Sequence, residues 1–332
     1  MKTIKLLGLL VSILMISACS SQGDEPQINP EPENSASETK LLDENWLLLS
    51  ESQQASIMRL NAVNDSIIGS LDQDQTPDQS TRVLYYVNWR KVASDDARGA
   101  VEGFRYGWSQ GKGIFGKLST SVLTAAIYTV AYSLESIYKQ LRGTRTSASN
   151  YRIQDIQLAM AKVWDSRELE NRVDKYMNEN PDLCGEYTRN ELKLAVIHNL
   201  VLETIESGVV LPIGLIENIF SAAQQEFFKS ERTMNYYNGV PDIISGKLTI
   251  SSFCRANPFP YATATINTFC DGIMRLPVND LDVFENKTKE LSAAYISEVS
   301  NIVDIEEDPK SNLITSFYIA PLSIQHWRSV YD

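Results

Sequence analysis

Glycine at every fourth position, Gly99, Gly103, Gly107 and Gly111, with Gly113 and Gly116 just beyond, constrains this chain more than any other feature. Each glycine inside a helix costs about 1 kcal/mol relative to alanine, so four in register require a compensating contact. A stripe without side chains lets a second helix approach closely, as small-xxx-small helix pairs do. The partner follows directly. Leu118 to Leu134 is an uncharged run of 17 residues bracketed by Lys117 and Glu135. Together the two halves predict a glycine-zipped helical hairpin over 93–138. With snorkelling ends the apolar run is just within reach of a bilayer, yet its serines and threonines also suit a buried helix. Glu102, Arg105 and Lys112 are awkward for permanent membrane residence. Two readings therefore stand. One is a closely packed core pair. The other is a hairpin hidden in a water-soluble fold and released on contact with a membrane, Leu123, Ala126, Ile127 and Val130 then facing lipid.

Beyond residue 90 nearly every apolar pattern has the helical period, and strand-like alternation is confined to Leu84–Val87 and Leu248–Ile250. The expected fold class is all-α, a multi-helix domain over 81–332. Its helices are placed near 92–112, 118–141, 151–178, 188–206, 212–231, 280–302 and 313–330, with breaks at Gly143, Pro181, Gly208, Pro212, Gly239 and Pro309. The polar stretch 142–150 contains Arg142 and Arg145 among small neighbours, which makes it the expected internal site of proteolytic processing. No 20- to 50-residue repeat suggests a solenoid.

The N-terminus joins a basic start, Lys2 and Lys5, to a short apolar stretch, Leu6 to Ile16, and then Ile16-Ser17-Ala18-Cys19. This is the layout of a secretory leader over 1–18 and not of a spanning helix. Ile-Ser-Ala-Cys resembles the bacterial lipobox, in which cleavage exposes the cysteine for acylation; Cys19 is thus the expected lipid attachment site. Ser20-Ser21-Gln22-Gly23-Asp24-Glu25-Pro26 resembles the polar-then-acidic export signal of surface lipoproteins in Bacteroidetes-type bacteria, which places the expected location on the outer face of the outer membrane. From Ser20 to Ser80 twelve acidic residues face only Lys40 and Arg59, so residues 19–80 read as an acidic, partly disordered tether. Within it, Leu41–Leu49 and Ile57–Ile68 have helical apolar spacing and are expected to dock on the domain. Asp65-Ser66-Ile67 resembles the O-glycosylation triplet of the same bacteria.

The whole chain has 30 basic against 42 acidic residues, a net charge of −12 that argues against a nucleic-acid partner. Two histidines, His198 and His326, exclude a multi-histidine metal site, and neither a metal nor a cofactor is expected. With Cys19 acylated, Cys184, Cys254 and Cys270 remain. The first choice for a disulfide is Cys254–Cys270, with three buried reduced thiols as the alternative.

Enzymatic motifs fall short. Gly111-Lys112-Gly113-Ile114-Phe115-Gly116-Lys117 fits the phosphate-loop spacing, but Leu118 stands where a Ser or Thr should ligate magnesium, and a helical pattern precedes it in place of a strand. Cys184, His198 and Asn199 suggest a thiol-protease group, but adjacent helix residues point about 100° apart. His198 is expected to be a packing histidine and His326 a partly exposed residue of the tail.

Asp95-Asp96-Ala97-Arg98-Gly99-Ala100-Val101-x-Gly103 and Ile197-His198-Asn199-x-x-Leu202 resemble short signatures of secreted Bacteroidetes proteins. With the surface lipoprotein signal and the concealed hairpin, the chain resembles the lipoprotein bacteriocins of gut Bacteroidales. The hairpin idea itself comes from pore-forming colicins by analogy of pattern. This resemblance implies an antibacterial toxin that is displayed on the producer, processed by a protease, docked to a surface glycan or outer-membrane protein of its target, and disruptive to membranes. A non-toxic surface adhesin or binding lipoprotein is the alternative, and an extracellular hydrolase comes third.

Overall fold

The computed structural model describes residues 46–70, 87–111, 113–141, 151–181, 188–254, 257–278 and 280–331. The expected leader over 1–18, Cys19, Cys184, Arg142 and Arg145 lie outside the described residues. Of the described residues 82% are helical and none is in a strand, so the domain is all-α as the periodicity predicts.

Eleven helices follow one another among the described residues: α1 Glu51–Gly69, α2 Trp89–Gln110, α3 Gly113–Leu141, α4 Ile153–Val163, α5 Arg167–Glu179, α6 Thr188–Glu206, α7 Ala222–Lys229, α8 Glu231–Ile244, α9 Pro260–Arg275, α10 Leu281–Ser300 and α11 Glu307–Tyr331. Side-chain caps account for several boundaries that apolar period alone did not place. The single helix expected over 151–178 divides where Ser166 caps α5, its hydroxyl accepting from Leu169 N–H. The one expected over 212–231 divides twice. Residues Ile213–Asn218 form a 3₁₀ turn, Ser221 and Gln224 make a capping box for α7, and Ser230 ends α7 while capping α8. Two whole helices, α8 and α9, are additions to the expected set; α9 starts on Pro260, whose missing N–H costs nothing at that position. The alternation at Leu248–Ile250 leads into a short 3₁₀ turn, Ile250–Ser252.

Helix α2 occupies the middle of the fold. Fifteen of its 22 residues are buried, against the single apolar stripe of a surface helix. It packs along α3 and against α9 and α11. The apolar spacing at 57–68 docks on the domain as expected. Ile57, Leu60 and Ile67 of α1 are buried against α9 and α10. Asn64 keys the contact, donating to the Thr268 carbonyl at 2.9 Å and accepting from the Tyr295 hydroxyl at 3.0 Å.

Candidate functional site

The close approach that the glycines demand is present. A Cβ built on Gly99 would lie 3.0 Å from Thr129 Cα, one on Gly103 would lie 2.9 Å from Ala125 Cα, and one on Gly107 would lie 2.6 Å from Ser121 Cα. These three glycines seat α3 on α2 backbone to backbone. Gly111 differs from them in its backbone. It takes extended backbone, φ −67° and ψ 143°, and ends α2, its N–H donating to the Gly107 carbonyl. Leu123, Ala126, Ile127 and Val130 are all buried in the core. Of the phosphate-loop-like spacing, Gly111 ends α2 and Gly113 to Lys117 lie within α3, so a helix precedes it where such a loop requires a strand.

The hydroxyls of α3 explain why its run is polar for its length. Thr129 donates to the Asp96 carbonyl at 2.8 Å, Ser133 to Asp96 Oδ2 at 2.7 Å and Ser136 to Asp95 Oδ2 at 2.7 Å, with Tyr132 donating to Glu102 Oε2. Residues 129, 132–133 and 136 share one helix face, so the stripe that meets the glycines also satisfies the acids beside them.

Asp96 is the meeting point of four helices. Besides Ser133 of α3, its Oδ2 accepts from Ser323 of α11 and lies 3.7 Å from His198 Nε2 of α6. Trp327 Nε1 donates to Ser133 Oγ at 2.8 Å. His198 Nδ1 lies 3.0 Å from Asn199 Oδ1, an acceptor, so Nδ1 carries the proton and the Nε2 lone pair faces Asp96. Asn199 Nδ2 donates to the Leu322 carbonyl at 2.9 Å, fixing α6 to α11. The two sequence signatures, one around Asp96 and one around His198, thus converge on one node.

Burial dominates the electrostatics of this node. It pushes the Asp96 carboxyl well above the usual carboxylate range, against the hydrogen bonds from Ser323 and Ser133. It also pulls His198 down to about 3, so the ring is neutral at pH 7 and no ion pair forms with Asp96. Asp95 and Glu102 are raised by the same desolvation, with Lys91 drawing Asp95 back and Arg98 and the Tyr132 hydroxyl drawing Glu102 back. Asp96, Ser133 and Ser323 are 0% exposed and His198 is 1% exposed. No substrate reaches them in this conformation; the node joins helices.

Three expectations are corrected. Cys254 and Cys270 form no disulfide: both are free and buried, Cys254 Sγ lying 3.7 Å from Ser109 Oγ and Cys270 donating to the Ser94 carbonyl at 3.4 Å. His326 is 4% exposed rather than a tail residue at the surface. It lies 3.3 Å from Glu206 Oε2 and 3.9 Å from Glu203 Oε1, and these carboxylates outweigh burial and raise its pKa. Gly111, finally, is the stop of α2 and not an interior position of that helix, which was expected to run to 112.

Among the described residues no helix is long and apolar enough to cross a membrane, and no group of three or more His, Cys, Asp or Glu side chains could hold a metal ion. A groove of about 160 Å³ runs between the start of α1 and residues 258–262 and 304–309, lined in part by Gln53, Phe259, Tyr261 and Asp304. The fold and node define an all-α domain organised around a buried, glycine-seated helical hairpin. No family model, curated protein or solved structure matches the chain.

Proposed function

We propose that this chain is a lipid-anchored surface protein that acts as an antibacterial toxin on neighbouring bacteria, with the α2–α3 hairpin as the element held in reserve. The observation that supports this reading is the combination in α2 of a glycine seat with enclosed ionisable groups, Asp95, Asp96 and Arg105. Buried ionisable groups lower the stability of a packed state relative to an apolar core of equal volume. A hairpin held this way is the part of the domain with most to gain from leaving it. Proteolytic processing at Arg142 or Arg145 would free the end of α3 from α4, before docking to a surface glycan or outer-membrane protein of the target and insertion of the hairpin. Cys19 would carry the acyl chains that keep the toxin on its producer.

A second reading, a non-toxic surface adhesin or binding lipoprotein, has its own support. The α3 hydroxyls already have partners inside the domain, no described helix is long and apolar enough to span a bilayer, and the groove beside Phe259 and Tyr261 offers a place for a ligand. The two readings separate in one experiment. The chain from Ser20 onward, intact and after mild trypsin, is assayed for dye release from vesicles and for growth inhibition of related bacteria. Leakage or killing that appears on nicking is the expected result. Neither effect, with the cut confirmed by mass spectrometry, overturns the toxin and leaves the binding protein.

A further inference from the structure

Ten residues from Ser207 to Ile216 carry no charge and read Ser-Gly-Val-Val-Leu-Pro-Ile-Gly-Leu-Ile between Glu206 and Glu217. They lead from α6 into the 3₁₀ turn. Val209 is 52% exposed, Val210 95% and Ile213 67%, while Ile216 is buried and Leu211 and Leu215 pack against the core. Backbone bonds hold the tip out. Gly208, at φ +64°, donates to the Ile205 carbonyl at 3.1 Å, and Leu215 N–H donates to the Pro212 carbonyl at 3.1 Å. The left-handed glycine and the proline fix the path, so the apolar side chains are presented by ordered backbone and not by a frayed end.

We propose that this loop is a lipid-binding tip, which inserts Val209, Val210 and Ile213 into the interfacial layer of a bilayer with little net surface charge. Area argues against a protein partner. Three side chains offer at most a few hundred Å², against about 800 Å² per partner in a standard interface. Shape argues the same way, because at 95% exposure Val210 has no neighbouring wall, and a fluid surface accommodates such a point where a rigid partner needs a dedicated socket. Charge selects the lipid. The flanking groups are the carboxylates Glu206 and Glu217, and the nearby guanidinium of Arg172 is taken by Glu203 at 2.8 Å. Between Glu203 and Glu217 the chain itself carries no cation to recruit anionic headgroups, so a zwitterionic surface fits best. With no described helix able to span, the engagement is shallow, to the ~5–10 Å reached by interfacial elements.

The test uses the chain starting at Ser20, which retains every described residue and lacks the acylated cysteine, with phosphatidylcholine vesicles. Co-sedimentation should give a partition coefficient that falls at least tenfold in the double variant Val210→Asp, Ile213→Asp. Val303→Asp, changing a residue 94% exposed elsewhere, should stay within twofold of the parent. Val210→Trp should shift its emission to the blue on binding and be quenched by brominated acyl chains, a readout that holds even if the double variant misfolds. The proposal is overturned if the parent does not bind these vesicles, if the double variant binds within twofold of it, or if Val303→Asp loses as much. It is also overturned if the double substitution converts a dimer to a monomer, since the occupant is then a second copy. Vesicle binding without killing would sink the toxin reading alone, and killing without vesicle binding would sink this one alone.

Discussion

Replacing Gly107 by alanine sets two effects of known size against each other. Alanine in a helix interior is favoured over glycine by about 1 kcal/mol. Against that, the new Cβ would lie 2.5 Å from Thr124 Oγ1, 2.6 Å from Ser121 Cα and 2.8 Å from the Thr120 carbonyl oxygen. Two of these are backbone atoms that cannot rotate away, and the Thr124 hydroxyl is itself donated to the Thr120 carbonyl. Relief requires α3 to lift off α2, which also stretches the hydrogen bonds from Thr129, Ser133 and Ser136 further along the seam. Overpacking a core costs about 1–3 kcal/mol, and this contact belongs at the upper end, so the net loss is about 2 kcal/mol. Gly103→Ala, with its nearest contacts at 2.8 and 2.9 Å, should lose about 1 kcal/mol, and Gly99→Ala, at 2.9 and 3.0 Å, should come out near zero. Gly69, with nothing within 4 Å, is the control, and its alanine variant should gain up to about 1 kcal/mol. Urea unfolding followed by helical circular dichroism, compared at equal m, reads the series. If Gly107→Ala is as stable as Gly69→Ala, the two helices are not in the contact described, and the zipper argument fails.

The buried node makes stability depend on pH in two directions. Folded Asp96 keeps its proton while the unfolded residue ionises near pH 4, so its contribution is present in acid and is lost as pH rises toward its folded pKa. Thermal or urea unfolding should therefore show Asp96→Asn gaining on the parent as pH rises above about 4, the gain levelling off once the folded carboxyl ionises. His198 has the opposite sense: the unfolded ring protonates below about 6.5 and the folded one only near 3, so acidification destabilises the fold, and His198→Gln should flatten the limb between pH 6 and 4. A dithiol reductant should leave the melting temperature unchanged as far as Cys254 and Cys270 are concerned; a disulfide closing their loop of about 15 residues would contribute about 3 kcal/mol and show as a clear drop.

The hairpin was legible because its signal is local. Four glycines at helical spacing beside an uncharged run carry their own cost, and that cost has few remedies, so Gly99, Gly103 and Gly107 could be placed against α3 from the chain alone. The helix breaks were not legible from apolar period. Ser166, Ser221 and Ser230 are ordinary polar residues until an extended backbone lets each accept from the N–H three places on, and only capping signals, such as Ser221 three before Gln224, could have marked them. The end of α2 at Gly111 was hidden for a related reason: the same residue type serves a close contact inside a helix and a stop at its end, and spacing alone does not separate the two.

The node around Asp96 was visible as two signatures and invisible as one site. What joins them lies more than 100 positions apart in the chain: Asp96 of α2, His198 of α6 and Ser323 of α11. A clue was present in composition, since Asp95, Asp96, Arg98, Glu102 and Arg105 crowd the stretch 92–107, whose other residues are small, apolar or aromatic. Such a helix is either exposed on a broad polar face or buried with partners supplied by its neighbours. The hydroxyls of the 118–134 run and of Ser136 decide between these. Ser and Thr at 129, 133 and 136 are poor choices for a lipid-facing surface and good ones for satisfying carboxyl and carbonyl oxygens across a glycine seat. The polarity that makes α3 a weak bilayer span is therefore the same property that holds it in the folded domain. Any release of the hairpin must first break those hydrogen bonds, which gives the glycine and Asp96 variants a bearing on activity as well as on stability.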